Sequence, residues 1–327
     1  MRNTAIAGAR RAAGSLWFRA GASVVLLGIV FLEVDWSTAA ERLDSGEWPL
    51  FVAAVGLIEV AFLVGAVRWH RLVSAARIAQ PFAHSLRAYM IGMFSNNFLP
   101  TGFGGDAARA LIAGRSGSRL VRVATSVVVD RVSSVLCLVL LAWIAIGADP
   151  GGVPPSIVAG LLGVTLAGAA AGAVGTLLFR RGARFAAVLP ASLGRWAVEV
   201  RAVIVGYVRD ASLLAWALAL GLVFQAVTVA ATWLLARVLG IDVPFALLAA
   251  VVPMVLIATM APISLAGLGV REGSYIILLG TAGVTTTDAA LLSLMTAAAM
   301  ALASTAGAVP VILRRAEPMR AGQVTRE

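Results

Sequence analysis

The chain contains no lysine, a single cysteine and two histidines. Without lysine there is no ATP-binding loop of the G-x-x-x-x-G-K-[ST] type. That class of ATP-driven chemistry is therefore excluded. Cys137 has no second cysteine to pair with, so an intramolecular disulfide and a cysteine-based metal cluster are both excluded. His70 and His84 are too few for a histidine-rich metal site. Charge is scarce as well, at 13% of 327 residues, whereas 60% are hydrophobic and the mean hydropathy is +0.94. Soluble domains sit near about 45–50% apolar. The composition is that of an all-α polytopic membrane protein, one integral membrane domain over 1–327, with no room for a soluble domain carrying separate chemistry. All 26 basic residues are arginine and the formal charge is +10. They fall in the loops, which reads as membrane orientation rather than nucleic-acid binding. No nucleic-acid partner, cofactor or metal is expected.

Apolar runs recur from end to end. Arg2, Arg10, Arg11 and Arg19 precede the first, Ala20 to Val34. This fits a signal peptide or a signal anchor, and Thr38-Ala39-Ala40 has the look of a cleavage site. The many spans that follow favour an uncleaved helix starting near Leu16, behind an arginine-rich cytosolic N-terminus at 1–15. The acidic loop Asp35 to Glu47 is then outside. Further spans are expected at Pro49–Val67, Val123–Ile146, Ser156–Phe179, Leu213–Ala236 and Ala289–Leu313. Arg68, Arg71, Arg77 and Arg87 mark a cytosolic loop, and 316–327 is a short cytosolic tail. Both termini come out cytosolic, in the cell membrane. Gly168 and Gly172 form a GxxxG pair, expected to pack closely on another helix. Leu193, Trp196, Val200, Val203, Ile204 and Tyr207 share one face of a helix. That suits an amphipathic segment on the inner membrane surface or a solvated connector.

Two stretches interrupt this pattern. Asn96 to Arg109 reads NNFLPTGFGGDAAR, and Pro262 to Glu272 reads PISLAGLGVRE. Pro100 and Pro262 cannot donate a backbone hydrogen bond, and Gly104, Gly105, Gly267 and Gly269 free the chain to turn. In lipid such a break survives only where protein or water covers it. Two Pro/Gly-broken apolar segments, one in each half, point to a transport site and to an inverted repeat. The arginine-rich stretch after the first break is placed inside if Ala88 to Phe103 enters and leaves from the cytosol as a re-entrant hairpin. The second break is either a hairpin from outside or two full crossings. In total about six full spans and two broken re-entrant elements are expected.

Asn96, Asn97, Thr101, Asp106 and Arg109 crowd the first break, and Arg271 and Glu272 flank the second. New helices starting there would aim backbone N–H groups at an anion. A phosphate headgroup paired with Arg109, Arg131 or Arg271 is physically sensible. The alternative is that Asp106 caps a helix and Arg109 snorkels to the surface. Charges in mid-span need a reason. Ser126, Asp130, Ser133 or Ser134, and Cys137 share one face, which should turn inward. Asp130 and Arg131 then either fix helix packing as an ion pair or hold a charged headgroup. Glu59 is a proton or cation relay, or a partner for a buried Arg131 or Arg271, with the partner role favoured. Stripes at Gln225, Thr228, Thr232 and at Ser293, Thr296, Ser304, Gly307 read as packing faces.

NNFLPTGFGGDAAR followed by Asp130-Arg131 resembles the lysylphosphatidylglycerol synthase transmembrane-region family of flippase-like proteins. PISLAGLGVREG is similar to its second signature, and Arg68-Trp69 to a third. The resemblance runs from about residue 16 to 315. The family more usually has Glu before the arginine of the third-span pair, and Asp130 keeps the charge with a shorter reach. The resemblance implies lipid handling, since in full-length synthases this region is associated with moving aminoacylated phospholipid between leaflets. The chain ends soon after the last span, so the cytosolic aminoacyltransferase domain is expected to be missing. Some relatives are linked to polyprenyl-phosphate glycan pathways.

Three functions follow. The first is a flippase or transporter for phospholipid or another lipid phosphate, with anionic membrane lipids as partners. The second is a membrane-embedded lipid transferase using Asp106, Asp130 or Glu272 as acid, base or metal ligand. No nucleophile–base pair and no carboxylate cluster at metal spacing supports it. The third is a non-catalytic subunit anchoring a glycosyltransferase or lipid-synthase partner.

Overall fold

The computed structural model describes residues 18, 21–44, 46–98, 104–114, 117–185, 191–261, 264 and 267–307, the backbone alone at 97–98, 180–185 and 191–195. The described residues are almost wholly helical: α1 Gly21–Glu33, α2 Trp36–Asp44, α3 Trp48–Ala75, α4 Phe82–Phe98, α5 Gly104–Gly114, α6 Gly117–Ala148, α7 Pro155–Phe185, α8 Ala191–Arg209, α9 Ala211–Val238, α10 Phe245–Thr259, α11 Val270–Gly280 and α12 Thr286–Ser304. A 3₁₀ turn, Thr305–Gly307, extends α12. Among these, α3, α6, residues Pro155–Phe179, α9 and Thr286–Gly307 are long and apolar enough to cross a membrane. The α1–α2 pair, bent by 82°, makes a sixth if it is one broken span. The protein is an all-α, multi-pass membrane protein.

The bundle is assembled around α3 and α9, which pack along their lengths. A Cβ on Gly221 of α9 would meet Arg68 Nη1 at 2.8 Å, so glycine lets the two helices close over that guanidinium. Of the stripe on α9, Gln225, Thr228 and Thr232 are all buried, and the two threonines return their hydroxyls to the carbonyls of Phe224 and Thr228. The threonines are thus satisfied by their own helix, whereas Gln225 Oε1 is buried without a hydrogen-bond partner among the described residues. The Ser293, Thr296 and Ser304 stripe of α12 is buried likewise.

The first break turns the chain back on itself. Gly105 of α5 sits against the Gly92 carbonyl of α4, leaving no room for a side chain, and donates its N–H to Asn96 Oδ1 at 2.9 Å. A Cβ on Gly92 would in turn meet the Gly105 carbonyl at 3.0 Å and the Arg109 Cβ at 3.5 Å. Position 92 opposes 109 while 96 opposes 105, so α4 and α5 run antiparallel as a tight helical hairpin. At the second break Gly267 and Gly269 have φ of +80° and +83°, a region glycine enters freely. Pro100, Thr101 and Pro262 lie outside the described residues.

Several expectations change. Asp35 to Glu47 is not a loop throughout, because α2 occupies most of it. Asp35 Oδ1 accepts from the N–H and hydroxyl of Ser37, an aspartate cap that makes a helix of a short acidic stretch. Arg68 is not in a loop: α3 continues to Ala75 and buries it. The GxxxG pair on α7 packs against nothing among the described residues, since a Cβ at Gly168 or Gly172 meets no atom within 4 Å. Van der Waals packing is what makes such a motif stick, and no second described helix is in reach to provide it. On α8, Val203 and Tyr207 are buried and the Tyr207 hydroxyl donates to the Leu72 carbonyl at 2.6 Å, whereas Trp196 stays exposed.

Candidate functional site

The inward face of α6 carries the centre of the site. Ser126, Asp130 and Cys137 are all buried, as their helical spacing requires. Asp130 accepts from Arg68 Nε at 2.9 Å and lies 2.7 Å from Arg68 Nη2. Its other oxygen accepts from Arg109 Nη1 at 2.9 Å. Arg109 reaches on to Asp106 at 3.0 Å, one turn back in α5. Asp106 then accepts from Arg131 Nε at 2.6 Å. The result is a row of alternating charge, Arg68–Asp130–Arg109–Asp106–Arg131, drawn from α3, α5 and α6. Three guanidiniums against two carboxylates leave it at +1.

The row is sealed at one end and open at the other. Arg68 and Arg109 are 3% and 2% exposed, while the Arg131 side chain is 33% exposed. Arg109 therefore does not snorkel. Its guanidinium stacks between Trp69 and Tyr89, 5.3 and 5.5 Å from the ring centroids, where cation–π attraction replaces lost hydration. Asp106 stands in the first turn of α5, favourable for an anion, but its oxygens go to Arg109 and Arg131. Ser134 accepts from Arg68 Nη2 at 2.6 Å. Even so, Arg68 Nη1, Arg109 Nε and Trp69 Nε1 are buried donors without a hydrogen-bond partner among the described residues. Asp106 Oδ1, although 3.0 Å from Arg109 Nη2, likewise makes no hydrogen bond among the described residues. Buried polar groups are nearly always satisfied, so a row with three open donors and one open acceptor stands out.

The second break builds a separate cluster. Glu272, fully buried, accepts from the Gly269 N–H at 2.6 Å, from Arg271 Nη2 at 2.9 Å and from Ser293 at 3.3 Å. The Gly269 bond caps the start of α11 from the Glu272 side alone, since a glycine has no side chain to return it. Tyr275, one turn on in α11, is buried as well. Among the described residues no hydrogen bond or ion pair joins this cluster to the row.

Of the residues singled out by sequence, Asp106, Arg109, Asp130 and Arg131 converge, with Asn96, Gly104 and Gly105 holding the α4–α5 turn beneath them. Asn97 lies in α4. Arg271, Glu272, Gly267 and Gly269 stand at the other break. The buried-partner role for Glu59 is not realised: Arg131 is taken by Asp106 and Arg271 by Glu272. Glu59 is half-buried on α3 and makes no ion pair among the described residues. Charge-based reading missed Arg68, Trp69 and Tyr89 as parts of the site. The Arg68-Trp69 pair was the available signal, since an arginine next to an indole is unusual within a span. Among the described residues there is no cluster of His, Cys, Asp and Glu able to hold a metal ion. A family model described as the lysylphosphatidylglycerol synthase TM region matches residues 16–307. No curated protein matches the chain.

Proposed function

Because the chain belongs to the lysylphosphatidylglycerol synthase TM region family, a family of membrane lipid-related proteins, we propose that it moves a phosphate-bearing lipid headgroup between leaflets. One observation carries this reading. The buried row ends one carboxylate short, and three N–H donors beside it lack acceptors. A phosphate supplies both the missing negative charge and several acceptor oxygens. Half-exposed Arg131 receives the headgroup, and Arg109 holds it next to the helical hairpin. The glycine contacts of that hairpin leave backbone, not side chain, at the break, as a transport site built on broken helices requires. In this reading the protein sits in the cell membrane with both termini cytosolic, and lipid is substrate rather than reactant. A second reading, a subunit docking a glycosyltransferase or lipid synthase, draws on α8, whose Trp196, Val198 and Val208 are exposed.

Leaflet transfer of labelled lipids in proteoliposomes tests the proposal. Phosphatidylglycerol, an aminoacylated phospholipid and a polyprenyl phosphate are compared, in wild type and in Arg109→Ala, Arg131→Ala and Arg271→Ala. Loss of one guanidinium–phosphate pair, worth about 1.4 kcal/mol, slows transfer roughly tenfold in Arg131→Ala. Absence of transfer for every lipid in folded wild type refutes the reading and leaves the docking subunit.

A further inference from the structure

A second basic site lies apart from the buried row, at the end of the bundle where α3 stops and α6 begins. Two adjoining open clefts of about 740 and 340 Å³ share Arg77, Ile78 and Ala79 as a common wall. Arg119, Arg122 and Ser118 line the smaller one. Its guanidiniums are held from different sides. Arg119 donates to the Ala113 carbonyl at 3.1 Å and to Gln80 Oε1 at 3.3 Å, which fixes the end of α5 to the cleft. Arg122 pairs with Glu199 of α8 at 2.8 Å. Arg77 makes no ion pair among the described residues. Three arginines against one glutamate leave the cleft at +2.

Arg77 is held there against its own backbone preference. It is the only described non-glycine residue with positive φ, +59°, and the Ile78 N–H closes back on the Val73 carbonyl at 3.4 Å. This is the helix-ending turn that ordinarily takes glycine, because a Cβ in the left-handed region is sterically penalised. An arginine in that position places a guanidinium in the cleft at a conformational cost.

We propose that this cleft binds a phosphate-bearing anion, and that its occupant in the membrane is the headgroup of an anionic phospholipid. Guanidiniums from the end of α3 and from one turn of α6 suit the several oxygens of a phosphate. The source is a lipid because the cleft stands where apolar spanning helices end. Glu199 also ties it to α8, whose exposed Trp196 is the kind of side chain that settles at a headgroup layer. The site is independent of leaflet transfer, since it would bind lipid whether or not the buried row conducts it.

The test uses a phosphatidylglycerol carrying a photoactivatable group near the glycerol, in nanodiscs of phosphatidylcholine, with adducts mapped by mass spectrometry. Wild type is expected to be labelled on peptides covering 74–81 and 118–122. Arg77→Gly is expected to reduce that labelling about tenfold while melting at the same temperature or higher, because glycine relieves the turn. A loss of labelling then cannot be a loss of fold. Inorganic phosphate at millimolar concentration is the second arm, and labelling that survives it identifies the lipid as the occupant. Displacement by phosphate overturns the lipid assignment. Undiminished labelling in Arg77→Gly, or equal labelling by a phosphatidylcholine probe, overturns the site.

Discussion

Asp130→Asn is the substitution that most directly tests the buried row. Asp130 accepts charged hydrogen bonds from Arg68 at 2.9 Å and Arg109 at 2.9 Å, with a further Arg68 contact at 2.7 Å. An amide keeps one acceptor oxygen and turns an N–H₂ toward a guanidinium. The row goes from +1 to +2 with both neighbours still buried. Removing one partner of a buried ion pair costs about 3–5 kcal/mol, in line with about 2.5–3.5 kcal/mol for an arginine left in mid-membrane. Unfolding by SDS titration in mixed micelles, followed by tryptophan fluorescence, measures this loss. Combining it with Arg68→Met restores the row to +1. The double variant should recover about 1–3 kcal/mol relative to the sum of the two single changes. An Asp130→Asn protein within about 1 kcal/mol of wild type, or strict additivity of the pair, would refute the reasoning, since coupled charges cannot behave so.

Further outcomes follow from the same geometry. Gly105→Ala drives a methyl into the Gly92 carbonyl and should cost about 1–3 kcal/mol by the same titration, whereas Gly168→Ala, facing open space, should cost nothing measurable. Glu59→Leu should leave stability unchanged or higher, since it removes a half-buried carboxyl with no ion pair; a clear destabilisation would reveal a partner for it. Asp210, which caps α9 by accepting the Leu213 N–H at 2.9 Å, has its carboxyl pulled below the ordinary 3.8 by that bond and by Ser212. Its contribution is present above 3.8 and disappears as the pH falls through the depressed value. In Asp210→Asn the cap persists at neutral pH while that acid-side loss vanishes, which thermal unfolding across the acid range will show.

The sequence showed some of this plainly and hid the rest for physical reasons. Ser126, Asp130 and Cys137 share a face at helical spacing, and polar groups on a spanning helix turn inward, so the centre of the site was visible. The glycines at 105, 267 and 269 marked the breaks because only glycine tolerates those contacts and dihedrals. Arg68 was hidden because hydropathy ends a span at its first arginine. α3, at 28 residues, is about 42 Å long and outruns a hydrocarbon core of about 30 Å. The bend between α1 and α2 was hidden because a cap acts over a few residues, below the window that finds spans. Glycine spacing on α7 suggested a partner that none of the described residues provides.

An odd-numbered alternation with a guanidinium at each end has a parity rule of its own. Five charges make four contacts. On the proposed reading, an incoming anion would join at a terminal arginine, lengthen the series to six, and leave every existing pair intact with zero net charge. An incoming cation would find no vacant end, since each aspartate already stands between two arginines, and entry would mean evicting one of them. Discrimination by sign would then be a matter of counting rather than of pocket shape. A cationic aminoacylated headgroup and an anionic one would meet opposite odds at the same place.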